Sequence, residues 1–140
     1  MNLPLNSCRL LLLSIGFLFQ FAAFMTAQGL AASVLEKADL GSMGFYSLAL
    51  LYLIFSLSCF VATPIVNRCG ERLSLSLGSL CYSAYIGSFI LVSVPDQFPE
   101  NKINASLVAT LIMIGATING FGAAILWVAQ GKYISRCAND

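Results

Sequence analysis

Four long stretches without a single charged residue divide this chain. They run Leu10 to Leu35, Phe45 to Val66, Leu73 to Val94 and Ala105 to Gly131, and hold 26, 22, 22 and 27 residues. A helix rises 1.5 Å per residue, so about 20 residues cross a hydrocarbon core roughly 30 Å thick. Each stretch is therefore long enough to span a bilayer, the longer two with tilt or an interfacial end. Strands fit poorly, because the runs lack an apolar/polar alternation and a membrane barrel needs about eight spans or more. The remaining composition closes the soluble option. Of 140 residues, 59% are hydrophobic and 9% charged, with a mean hydropathy of +0.86, whereas soluble domains are near one quarter charged. So short a bundle cannot hide that much apolar surface within itself, and the surplus must face lipid. The expected fold is an all-α membrane protein, a single bundle over residues 1–140 of four antiparallel transmembrane helices at about 10–35, 45–66, 73–94 and 105–131.

The few charges set the orientation. Arg9, Arg68, Arg72, Lys132 and Arg136 fall on the side of the N-terminus, and only Lys37 and Lys102 on the other. Basic residues near helix ends are retained in the cytosol, which puts both termini there. The acidic residues Glu36, Asp39, Asp96 and Glu100 then lie in two outer loops, 36–44 and 95–104, and residues 67–72 make the inner turn. A cleavable leader ending near Ala27 is the rival at the N-terminus, but the apolar run continues to Leu35, past the usual length of such a segment. Seven Lys and Arg against six Asp and Glu give a net charge of +1 with no basic block, so nucleic acid is not an expected partner. Histidine is absent and the five cysteines form no CxxC pair. Metal ligation, cofactor attachment and histidine-based catalysis thus lack their usual residues, and no enzyme activity, metal or cofactor is expected.

Inside the spans, attention passes to neutral polar groups, which in hydrocarbon must find partners and so face other helices or a wet cavity. Four amides stand out as lining a pathway or bonding between helices: Gln20, Gln28, Asn119 and Gln130. Small or hydroxyl residues recur at helical spacing beside them. Gly16, Gln20, Ala23 and Ala27 mark one face of the first helix, and Tyr52, Ser56, Cys59 and Thr63 one face of the second. Ser79, Ser83 and Gly87 mark the third, and Ala116, Gly120 and Ala124 the fourth. Helix packing accounts for all of these stripes, and a substrate path is the sharper alternative. No span holds a carboxylate, so proton-driven exchange is not expected of this segment. Cys8, Cys69 and Cys137 map to the cytoplasmic boundary, where a thiol can accept a palmitoyl chain. Asn104-Ala105-Ser106 matches the glycosylation sequon, close against the membrane.

Several segments carry a resemblance to a known family. Gly122-Ala-Ala-Ile-Leu-Trp127-Val-Ala-Gln130-Gly131-Lys-Tyr133-Ile-Ser135 and Phe21-Ala-Ala-Phe24-Met-Thr26-Ala-Gln28 resemble stretches of the uncoordinated-93-like (ion channel regulatory) branch of the major facilitator superfamily. The loop Asn67-Arg68-Cys69-Gly70-Glu71-Arg72 looks like a degraded form of that superfamily's inner-loop motif, with Asn67, Arg68, Gly70 and Arg72 at its key positions. The motif's acidic position holds neutral Asn67, and its preceding glycine is Thr63. Independently of the resemblance, Gly70 suits a tight left-handed turn, and the two arginines suit an anionic cytoplasmic surface. The resemblance covers the chain but only about the first third of a twelve-helix member. It implies a transporter-like protein, or a regulator of ion channels or receptors, whose partners are the lipid bilayer and a membrane channel or receptor. Rocking of two halves would need the missing helices or another subunit. Two alternatives come from other classes. A small four-helix exporter acting as a dimer lacks the intramembrane carboxylate such carriers use, and a tetraspanin-like scaffold lacks a long cysteine-bridged outer loop.

Overall fold

A computed structural model describes residues 5–37, 41–97 and 105–139. The described residues form four helices: α1 (Leu5–Lys37), α2 (Met43–Cys69), α3 (Glu71–Gln97) and α4 (Ala105–Asn139). Each extends beyond its charge-free run at one or both ends, because charges mark where hydrocarbon stops and not where the backbone ceases to be helical. Stretches long and apolar enough to cross a membrane lie in three of them, at Ser7–Ala31, Met43–Cys69 and Ser106–Ala138. α3 is more dilute, with six serines and two tyrosines. Its hydroxyls are largely satisfied within the helix: Ser74 Oγ donates to the Gly70 carbonyl, Ser76 to Arg72, Ser83 to Ser79 and Ser88 to Tyr85. A serine bonded this way needs no water.

α4 packs along both α2 and α3, whereas α2 and α3, joined through one residue, touch each other at few points. The reason is written in its side chains. Ala116, Gly120 and Ala124 are all buried, and a Cβ on Gly120 would lie 2.6 Å from the Leu51 carbonyl oxygen. The α2 backbone thus rests directly on α4. On a neighbouring face, Gly122 meets Cys81, Gly78 meets Leu126, and Gly115 meets Ser88 and Tyr85. Small residues that admit close backbone approach are how helices associate where lipid supplies no hydrophobic driving force.

α1 attaches differently, through aromatic rings. Phe24 packs edge-on to Tyr82 at 4.9 Å, and Phe21 lies 5.7 Å from Tyr82 and 5.4 Å from Trp127. Farther along, Leu35 joins Val108 and Ile112 in a small cluster. The stripe expected on α2 does not make these contacts, and that on α1 makes them only in part, through half-buried Gln20 and Ala27. Gly16 and Ala23 are exposed, as are Tyr52, Ser56, Cys59 and Thr63, while α2 buries Ser47, Leu51, Ser58, Ala62 and Val66. In lipid both faces of a helix are apolar, so shape and not polarity selects the one that packs. The outward faces keep large apolar side chains exposed, among them Leu12, Leu18, Phe19, Phe60 and Leu80, as a lipid-solvated surface requires.

Candidate functional site

At one end of the bundle the chain turns from α2 into α3 through Gly70 alone. Its φ of 86° and ψ of 158° fall in a region open essentially only to glycine. The positive φ is that of the tight left-handed turn expected here, and the extended ψ redirects the chain in one residue. The Gly70 N–H donates to Val66 O at 3.0 Å, and the Ser74 N–H and hydroxyl donate to Gly70 O at 3.2 and 2.7 Å. Glu71 follows at once, where a carboxylate favours the positive end of the α3 dipole.

Glu71 is the centre of the site. Its side chain is 9% exposed, and Arg136 Nη1 donates to Oε2 at 2.9 Å. Lys132 Nζ stands 3.8 Å from the other oxygen and donates to Asn67 Oδ1 at 2.9 Å. One turn separates Lys132 from Arg136, so both cations of α4 reach the α2–α3 junction together. An open cleft of about 790 Å³ lies here, lined by Glu71, Arg72, Lys132, Ser135 and Arg136 with Asn67, Cys69, Gly70 and Leu73. Of the four inner-loop residues singled out from sequence, Asn67 and Gly70 join this arrangement directly. Arg72 lines its edge, and Arg68 is exposed outside it. The acidic partner sits at Glu71, not at the position of Asn67, and sequence reasoning passed over it. One signal was present: Glu71 is the only acidic residue between Asp39 and Asp96.

The four amides are all placed. Gln20 Oε1 accepts from Ser79 Oγ at 2.9 Å, tying α1 to α3. Gln28 lines a small hollow with Gly44, Leu48, Tyr85 and Phe89. Asn119 is fully buried in α4, and Gln130 is partly buried on the same helix. Among the described residues, the buried side-chain polar atoms without a protein partner are Nε2 of Gln20 and Gln28, both amide atoms of Asn119, and Oε1 of Gln130. These are the same four residues. The structure does not gather them into one cavity, since Gln20 and Gln28 border different hollows. Between them an aromatic hollow of about 240 Å³ is lined by Phe21, Phe24, Tyr52, Phe55, Tyr82 and Trp127, with Ala123. Cys8 and Cys69 are exposed and Cys137 is partly buried. Asn104 lies outside the described residues. No group of three His, Cys, Asp or Glu that could hold a metal occurs among the described residues.

Among the described residues, apolar helix runs without charge are thus capped at one end by the Glu71 ion network. The family model described as ion channel regulatory protein UNC-93 matches residues 40–140. The chain belongs to the UNC-93 family. It is 34% identical over 134 residues to the UNC93-like protein MFSD11 of Xenopus tropicalis, covering 94% of this chain and 27% of that protein. UNC93-like protein 3 of Arabidopsis thaliana is 32% identical over 129 residues, which is 92% of this chain and 24% of that one. Protein unc-93 homolog A of Mus musculus is 32% identical over 130 residues, with coverages of 92% and 24%. The chain thus spans about a quarter of the length of the curated relatives it matches, and corresponds to their N-terminal region. No solved structure matches it. UNC-93 membership and three span-length apolar helices make this an integral membrane protein.

Proposed function

We propose that these four helices all cross the bilayer, alternating in direction with both ends in the cytosol, and serve a non-enzymatic regulator of a membrane channel or receptor. The pairing of residues supports the alternation. Along α3 and α4, Glu71 meets Arg136, Gly78 meets Leu126 and Ser88 meets Gly115, so numbers rise on one helix as they fall on the other. Along α2 and α4, Leu51 meets Gly120 and Asn67 meets Lys132, so both rise together. α3 fits as the fourth span despite its serines, because its charge-free run is 22 residues long and Ser74, Ser76, Ser83 and Ser88 bond back to nearby backbone carbonyls.

One observation carries the regulatory reading: four amides, Asn119 buried and Gln20, Gln28 and Gln130 partly buried, keep atoms without a protein partner, and the long runs between the charges hold no carboxylate. Proton coupling needs a titratable group at membrane depth, whereas neutral amides suit recognition of a neighbouring helix. On this reading the four helices are the N-terminal part of a major facilitator fold, and a complete transporter-like body would require helices beyond them. The test is co-expression of the full-length protein with a potassium channel and measurement of current. Asn119→Leu and Gln130→Leu should abolish any change in current while surface expression persists. Retention of the full effect in both variants would remove the amides from partner recognition. Transport is the second reading, favoured by the aromatic hollow of about 240 Å³. Saturable uptake lost in Tyr82→Ala would support it.

A further inference from the structure

We infer that the cleft at the α2–α3 junction binds a phosphate-bearing anion, the headgroup of an acidic membrane lipid. Its volume of about 790 Å³ lies within the range of ligand pockets, roughly 300–1,000 Å³. Its lining carries Arg72, Lys132 and Arg136 against Glu71, three positive charges and one negative, or +2. The one carboxylate is already occupied: Arg136 and Lys132 hold its two oxygens, and the side chain is 9% exposed. The cations are not used up in return. Arg136 is 68% exposed, gives Glu71 one nitrogen, and keeps the remaining N–H groups of its planar fork. Arg72 is exposed and makes no ion pair among the described residues, and Ser135 lines the same cleft. Two guanidinium groups and an ammonium lining one cleft are donor types that phosphate oxygens favour.

The position selects a lipid as the source. The cleft lies where the charge-free runs of α2, α3 and α4 end, which is the level of the headgroups. Basic pockets between membrane helices on the cytoplasmic side hold acidic headgroups. This inference rests on the proposed orientation only for which leaflet supplies the lipid.

The test places full-length protein in symmetric phosphatidylcholine nanodiscs and titrates a fluorescent phosphatidylinositol 4,5-bisphosphate, with a fluorescent phosphatidylcholine as control, reading energy transfer from a protein label. Symmetric discs make the result independent of orientation, which tag accessibility on cells tests separately. The acidic lipid should bind and the zwitterionic one should not. Arg72→Gln and Arg136→Gln should each weaken binding about fivefold, and Glu71→Gln should strengthen it by a similar factor. Glu71→Gln and Arg136→Gln break the same ion pair, so mere loss of structure would move both in one direction. Arg72→Gln touches no pair and serves if Arg136→Gln does not fold. Equal binding of both lipids, or weakening in Glu71→Gln, would overturn the proposal. Displacement of the lipid by an equal concentration of inorganic phosphate would overturn the lipid as source.

Discussion

Among single residues, Glu71 and Asn119 are held by opposite physics. Glu71 is a nearly buried charge made tolerable by two cations, and its partners are far more exposed than it is. Removing Arg136 strands a carboxylate, whereas removing Glu71 leaves two cations that water and headgroups can solvate. Arg136→Ala should therefore destabilise the folded protein by about 1–2 kcal/mol and Glu71→Ala by less, a difference measurable by thermal denaturation in detergent. Equal losses would mean the pair is solvated. Asn119 has neither amide atom paired, and an unsatisfied buried amide costs about 1–3 kcal/mol. Asn119→Ala is expected to raise the melting temperature slightly, the small cavity offsetting part of the gain. A marked fall would show that the amide bonds within the fold. The four amides were legible in sequence because few other groups in those spans lack an internal partner. Glu71 was not, since its partner Arg136 lies 65 residues away on α4 and the pattern presented Arg136 and Lys132 only as orienting charges.

For the helices, α4 organises the molecule because it is small on two sides. Gly120 and Gly131 make a matched test: a side chain on the first meets the α2 backbone, and one on the second meets open space. Gly120→Leu should sharply lower the yield of folded protein in detergent, with Gly131→Leu near wild type. Similar yields would place α2 elsewhere. Gly70→Ala should cost about 1–3 kcal/mol, since its backbone angles are open essentially only to glycine, read as an earlier thermal transition. The small row on α4 was visible in the sequence, and it does pack. The stripe on α2 misled, and that on α1 did in part, because Tyr52, Ser56 and Thr63 look like a packing face by polarity. Ser56 bonds its own helix through the Tyr52 carbonyl and so can point outward, while α1 docks through Phe21 and Phe24, which read equally well as lipid-facing.

For the molecule as a whole, helix number and membrane character follow from charge spacing alone, and the order of packing does not. Consecutive helices are expected to be neighbours, yet α2 and α3 meet mainly through α4. Tyr52 and Trp127 stand exposed beside the aromatic hollow. Four crossings with both ends in the cytosol underlie the partner proposal and set which leaflet supplies the lipid. Epitope tags at the N-terminus, after Cys69, between Glu100 and Asn101 and at the C-terminus, probed one at a time on intact and permeabilised cells, decide it. Only the tag between Glu100 and Asn101 should be reached without permeabilisation; labelling of either terminal tag on intact cells would contradict the proposed topology.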